Sequence, residues 1–244
     1  MLAAFCVLAS LAQGQGPVHY RVESQTVASI DLTAMGQGVQ NQTMTSMALL
    51  TTTMTDTTGG RLAHVVIDSI TFDGGAAEAQ MPPDMLKSAK GGYFHAYVVN
   101  GKPTNPPVAS ITSVAATQVA AGVALMFPGA RPGLKVGDSW TDSTNADTTA
   151  TGGASVKGHT ITHWAVTAVD NGVISLDGTT VSNGVIGGAA QMEIQSNGKQ
   201  SASSIAGGPG NGGLATSEGQ TTMNMAGNAI PIRVTTTVKL TKLP

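Results

Sequence analysis

The sequence of 244 residues contains only one cysteine, Cys6. Disulfides and thiolate-rich metal sites each need several cysteines, so the chain can form neither by itself. Cys6 also lies in an apolar stretch that we expect to be removed from the mature protein. The remaining chain then has no cysteine nucleophile, and its stability has to come from a buried core.

Charged residues are scarce as well. They make up 11% of the chain, the formal net charge is -2, and lysine and arginine are scattered along the sequence. Because nucleic-acid binding depends on clustered cations that neutralise phosphates, this distribution excludes nucleic acid as a partner. The hydrophobic content of 41% argues against disorder, since enough apolar surface is present to form a core.

Strong helix formers are few, whereas threonine and glycine each occur 31 times. Threonine favours strands because it is β-branched, and glycine favours the turns between them. We therefore predict a mainly β protein made of antiparallel sheets. A curved half-barrel and a sandwich-like arrangement are the open alternatives. A chain of this length is long enough to bury a sizeable core in one domain.

Residues Met1 to Ala12 form an apolar run that ends in small side chains. Such a run is typical of a secretory signal peptide, and Ser10 and Ala12 suit cleavage before Gln13. The run is shorter than the roughly 20 residues that a membrane-spanning helix needs. We predict a signal peptide at 1-12 and export to the periplasm or the exterior, with a buried N-terminal strand or helix as the alternative.

Asn-Gly pairs mark the turns that we expect between strands. The pair suits a type I′ turn because both residues tolerate positive φ. Four pairs lie between strand-like stretches, and we predict hairpin turns at Asn100-Gly101, Asn171-Gly172, Asn183-Gly184 and Asn197-Gly198. The fifth pair, Asn211-Gly212, lies in a glycine-rich segment, Gly207 to Gly213, which we predict to be a flexible loop.

One segment departs from the strand pattern. Between Pro107 and Phe127 apolar residues recur at helical spacing, and Pro128 ends the pattern. We predict one substantial helix near 108-127. No transmembrane helix is expected in the mature chain, because the apolar face of such a helix more often packs on a protein core than it contacts a membrane.

The predicted helix divides the chain into two parts of similar character. We expect a single β-rich domain over 13-244, with β halves at 18-107 and 138-244 bridged by the helix. Similar Thr-rich patterns begin at Val39 and at Val156. They indicate two related halves, and chance similarity between Thr-rich strands is the alternative.

The helix is followed by Phe127-Pro128 and then by Val136-Gly137-Asp138-Ser139-Trp140. This combination resembles a motif of uncharacterised exported bacterial proteins, in which a β-rich half precedes a helix ending in Phe-Pro and a second β half follows. The order of elements predicted here is similar over most of the chain. The resemblance implies an exported β-rich protein and lends no catalytic residues.

Tryptophan and methionine side chains are the candidate ligand contacts. A tryptophan ring after a Gly-Asp turn anchors its strand, and contact with a ligand is the alternative. Methionines can line an adaptable apolar cavity, although they more often fill cores. The candidate ligand-binding residues are Trp140, Trp164, Met44, Met47, Met223 and Met225.

No catalytic arrangement can be assembled from the sequence. His159 and His163 are four residues apart, but in a strand this spacing separates them by about 13 Å, too far for one metal ion. The segment from Gly208 to Gly213 matches G-x-G-x-x-G, yet it contains a proline and leads into strand-like sequence instead of a helix. We predict no catalytic residue, no metal site and no cofactor.

Three functions remain open on the sequence alone. The first is an exported, non-catalytic envelope protein that binds an apolar or amphiphilic small molecule, or a protein partner, against a curved sheet. The second is a structural or adhesive surface module that pairs its edge strands with neighbours. The third is a hydrolase in which His95, His159 or His163 meets an acid and a hydroxyl.

Overall fold

The computed structural model describes residues 16–73, 89–104, 108–110, 114–149, 155–187, 192–225 and 228–244. They contain twelve strands, a short 3-10 turn at Thr33–Met35 and the helix α1 (Val114–Leu125). The strands are β1 (Val18–Asp31), β2 (Val39–Thr57), β3 (Gly60–Asp73), β4 (Tyr93–Val99), β5 (Lys102–Pro103), β6 (Val108–Ala109), β7 (Ser139–Thr149), β8 (Ser155–Asp170), β9 (Val173–Gly187), β10 (Met192–Ile205), β11 (Gly210–Met225) and β12 (Asn228–Lys242). The predicted signal peptide at 1-12 lies outside the described residues.

All twelve strands belong to one antiparallel sheet, with the order β5-β4-β3-β2-β1-β12-β11-β10-β9-β8-β7 and with β6 paired to β4. The sheet curls into a half-barrel. This confirms the predicted mainly β fold and selects the half-barrel over the sandwich. The strands that precede α1 form one side of the sheet, and the strands that follow α1 form the other side. The two sides meet where β1 pairs with β12. Whether the two halves are related remains a prediction.

The Asn-Gly pairs divide into two groups. Asn100-Gly101 and Asn171-Gly172 form tight turns with positive φ at both residues, as predicted. The prediction is wrong for Asn183-Gly184 and Asn197-Gly198, which lie inside β9 and β10. These strands continue because each is hydrogen-bonded to a neighbour on both sides. Pairing on two sides overrides a local preference for turning.

The glycine-rich segment Gly207 to Gly213 is also shorter as a loop than predicted. Strand β11 begins at Gly210, so Asn211-Gly212 is part of the sheet. Only the residues from Ala206 to Pro209 connect β10 to β11 outside the strands. The pairing of Gly212 and Gly213 with β12 accounts for the difference, because their backbone groups join the ladder.

Helix α1 lies within the segment predicted at 108-127 and packs on the inner face of the sheet at one end, which we call the core end. It contacts β1, β11 and β12. Val119, Val123 and Met126 are buried there in one cluster with Val22 and with side chains of β2, β3 and β4. Within the described part of the chain, no helix is long and apolar enough to cross a membrane.

Tyr20 lies at the centre of this core. Its side chain is fully buried, and its hydroxyl donates a hydrogen bond of 2.8 Å to the carbonyl of Gly210. Burial raises the pKa of Tyr20 above its ordinary value of 10.0. The unfolded chain therefore ionises at this residue at a lower pH than the folded chain does.

This difference predicts a loss of stability at high pH. The contribution of Tyr20 is fully present below pH 10 and is lost as the pH rises further, by at most about 1.4 kcal/mol per pH unit. Urea titrations between pH 9 and pH 12 measure the slope, and we expect Tyr20→Phe to reduce it. Tyr93→Phe, which removes an exposed tyrosine, is the control and retains it. Equal slopes in the wild type and Tyr20→Phe would contradict this account.

Candidate functional site

The inner face of the sheet at the end opposite α1, which we call the open end, forms a trough. Eighteen positions on six strands line it, and every one of them is half-buried. They lie in three rows across the strands. The rows, starting nearest the core end, are Thr26, Thr236, Ser217, Gly198, Thr180 and Thr162; then Ala28, Val234, Gly219, Ser196, Ser182 and Thr160; then Ile30, Ile232, Thr221, Ile194, Gly184 and Gly158.

The trough carries hydroxyl and aliphatic side chains and no charge at these positions. Some hydroxyls pair across the strands, as Thr160 does with Ser182 at 2.9 Å and Thr162 with Thr180 at 3.2 Å. Each such pair uses one hydroxyl hydrogen and leaves the other free to donate. The surface therefore offers hydrogen bonds without a fixed charge.

The outermost row adds apolar contacts and one unpaired hydroxyl. Ile30, Ile232 and Ile194 supply the aliphatic surface. Thr221 Oγ1 lies among them, shielded from solvent and without a hydrogen-bond partner among the described residues. A shielded hydroxyl without a partner is uncommon in folded proteins, and an absent ligand or water is one explanation.

The outer face of the same strands has a different character. An open depression of about 720 Å³ lies there at the open end, and Thr221 and Ile232 of the outermost trough row also contribute to its lining. Its lining includes the charged residues Asp31, Glu193 and Arg233. Charge thus separates the two faces of the sheet, and the trough is the one whose lining suits an uncharged molecule.

The two tryptophans lie below the trough, toward the core end. Trp164 is 5% exposed, and its ring centroid is 6.4 Å from that of Trp140, its register partner. Trp140 Nε1 donates to Asp142 Oδ2 at 3.3 Å, and the Arg131 guanidinium lies 5.7 Å from the Trp140 ring. Asp142 also forms an ion pair with Lys102 of β5. This cluster joins the first and last strands of the sheet order.

The methionine candidates are spread over the sheet. Met44 is half-buried on the inner face beside Phe72 and lies opposite the first trough residue of β1. Met47 is 42% exposed on the outer face. Met223 and Met225 lie in β11 at the open end, and their side chains fall outside the described part of the structure. Among these candidates, the structure brings Met44 and Trp164 next to the trough.

In the described part of the chain, neither His159 nor His163 has both an acid and a hydroxyl among its hydrogen-bond partners. His159 Nδ1 lies 2.7 Å from Asn145 Oδ1, and His163 Nδ1 lies 3.0 Å from Thr141 Oγ1. Both histidines are exposed. These contacts are cross-strand pairs of the kind that stabilise sheets.

A histidine, a hydroxyl and an acid do meet elsewhere on the outer face. His19 Nδ1 lies 3.0 Å from Thr51 Oγ1, and the Thr51 hydroxyl donates to Asp68 Oδ2 at 2.7 Å. In a catalytic triad the histidine lies between the acid and the nucleophile. Here the hydroxyl lies in the middle and its proton faces Asp68, so His19 does not act as its base in this arrangement.

A pair of histidines that no sequence pattern indicated lies on the outer face. His64 and His95 face each other across β3 and β4, with ring centroids 5.0 Å apart. The centroid of the Tyr93 ring lies 4.9 Å from that of His64 and 4.6 Å from that of His95. Burial, with a smaller contribution from His95, lowers the pKa of His64. The contact between His64 and His95 could not be predicted from the sequence, because it depends on the register of two strands that are separate in the sequence.

The part of the chain that the structure describes contains no group of three or more His, Cys, Asp or Glu residues that could hold a metal ion.

Comparisons with known proteins give the following result. No protein-family model and no curated protein matches this chain. Among solved structures it is similar to Neisserial surface protein A, with 8% identity and a TM-score of 0.23 over 94% of this chain and 100% of that one. It is also similar to Pseudomonas aeruginosa OpdK with vanillate, with 6% identity and a TM-score of 0.25 over 93% and 98% of the two chains. At these scores the likeness carries no argument about function.

Proposed function

We propose that this chain is an exported, non-catalytic envelope protein that binds an uncharged amphiphilic small molecule in the trough. The trough is the observation that carries the proposal. Its eighteen positions are half-buried, lie on the concave face of one sheet and include no charged side chain. The apolar run at 1-12 and the resemblance to exported bacterial proteins support the envelope location.

The lining selects the chemistry of the ligand. A charged group placed in the trough would lose hydration and gain no opposite charge, which is unfavourable. An amphiphile can place its apolar part on Ile30, Ile232 and Ile194 and its polar part on the hydroxyls of the other rows. Thr221 Oγ1 gains a partner in such a complex.

Binding of a fluorescent, uncharged amphiphile tests the proposal. We expect N-phenyl-1-naphthylamine to bind more tightly than the anionic 1-anilinonaphthalene-8-sulfonate. Gly219 lies in the middle row, and a Cβ there would meet only ordinary contacts, the nearest being Ser196 Cβ at 3.5 Å. Gly219→Leu therefore occupies the trough, and we expect it to weaken binding of the uncharged probe at least about tenfold, or about 1.4 kcal/mol.

The matched control is the next residue along the strand. Gln220 is exposed on the outer face, so Gln220→Leu adds a leucine without entering the trough. We expect this variant to bind the probe as the wild type does, and circular dichroism checks that both variants are folded. Equal binding by folded Gly219→Leu and Gln220→Leu would overturn the proposal.

A second function is favoured by one observation. Strand β7 is an edge strand of eleven residues, and none of the described strands pairs with its far side. Exposed edges can pair with other chains, as a structural or adhesive module requires. Asp147 on this edge counts against such pairing, because charges protect edges. A molecular mass that rises with concentration in light scattering would favour this second function.

A further inference from the structure

We propose that His64 and His95 form a binding site for a divalent transition-metal ion on the outer face of the sheet. The site is separate from the trough and goes beyond the proposed function. It uses two histidines from neighbouring strands, with water completing the coordination of the ion.

Register places the two side chains together. His64 of β3 pairs directly with His95 of β4, so both point to the same face. Residues directly opposite in an antiparallel pair have Cβ atoms about 4.5–5.5 Å apart. Two imidazoles at this separation can reach one ion, whereas two histidines along one strand cannot.

The ring geometry fits a chelate. A metal–nitrogen distance of about 2.0–2.1 Å places each ring centroid about 3.2 Å from the ion. With an angle between about 90° and 109° at the ion, the two centroids then lie about 4.5–5.2 Å apart. The observed separation of 5.0 Å falls within this range. The two rings are stacked with 24° between their planes, so binding also requires the exposed His95 ring to turn toward the ion.

One imidazole nitrogen of the pair is available to bind a ligand. His64 Nε2 is shielded and has no hydrogen-bond partner among the described residues. His95 is exposed, so an ion can arrive from solvent at its ring. Tyr93 packs against both rings. The arrangement therefore holds two imidazole rings next to each other at a surface that an ion can reach.

The donor set identifies the class of ion. Imidazole nitrogen suits Cu²⁺, Ni²⁺ and Zn²⁺, whereas Ca²⁺ and Mg²⁺ prefer oxygen ligands. For the same nitrogen donors affinity is highest for Cu²⁺. We therefore expect the order Cu²⁺ above Zn²⁺, and no competition from Mg²⁺.

Calorimetric titration of the full chain with CuCl₂ and with ZnCl₂ at pH 7.5 tests the site. We expect one ion per chain, and His64→Gln and His95→Gln should each weaken binding at least about tenfold. The controls are His19→Gln and His163→Gln, which remove histidines that face no other histidine; we expect them to bind as the wild type does. Because bound metal stabilises only the folded chain, Zn²⁺ should raise Tm in the wild type and not in His95→Gln.

Two outcomes would overturn the site. One is unchanged affinity in His95→Gln, whose exposed side chain can be replaced without disturbing the core. The other is equal weakening in all four variants, which would show diffuse binding to surface histidines. Binding of the uncharged probe should be unaffected in His95→Gln, so failure of this site and failure of the proposed function can be told apart.

Discussion

Trp164→Ala is expected to lower the free energy of unfolding by about 3–5 kcal/mol, because a fully packed large side chain is replaced by a cavity. The ring is buried in a cluster with Val166 and Leu176. It lies across Gly178, where a Cβ would be only 2.8 Å from Trp164 Cε3. The glycine and the tryptophan thus fit each other closely, and no neighbouring side chain replaces the lost contacts.

Urea denaturation followed by circular dichroism measures this loss. Trp140→Ala is the matched control, since Trp140 is the register partner and is only half-buried. We expect Trp140→Ala to lower the free energy of unfolding clearly less than Trp164→Ala does, because part of the Trp140 surface is already in contact with water. A cost for Trp140→Ala equal to that of Trp164→Ala would show that the buried cluster is not where the stabilisation lies.

Gly122→Val is expected to be the second strongly destabilising change, by about 3 kcal/mol or slightly more. A Cβ at residue 122 would lie 2.6 Å from both γ carbons of Val22. Val22 is buried in the main core and cannot move aside freely. Helix α1 therefore has to shift away from β1, and contacts along its whole length weaken.

A double-mutant cycle separates this clash from a general effect on the helix. Val22→Ala makes room beside residue 122, so we expect the double variant to be more stable than the sum of the two single changes predicts, by about 1–3 kcal/mol. Ala124→Val, on the exposed side of α1, is the control and should cost only about 0.5 kcal/mol. Simple additivity in the double variant would contradict the packing described for α1.

The fold class could be predicted because it depends on local patterns. Abundant threonine and glycine indicated strands and turns, and helical spacing before Pro128 located α1. The pairs Asn183-Gly184 and Asn197-Gly198 were misassigned because their turn preference is local, while the pairing that overrides it comes from neighbouring strands. Information about neighbours is absent from a single segment of sequence.

The candidate sites depend on such neighbours and could not be predicted. A row of the trough exists only when six strands are placed in register. His64 and His95 meet only because β3 pairs with β4, across 31 residues of sequence. Trp164 was identified as a candidate from its residue type, and the structure shows that it belongs mainly to the core.

The pairing of β1 with β12 has a consequence for the time at which the protein folds. Thr26 and Thr236 touch across this pair, although 210 residues separate them in the chain. Contacts between such distant residues form slowly, because the loop between them must close first. The middle of the sheet therefore cannot assemble until the last strand has been synthesised.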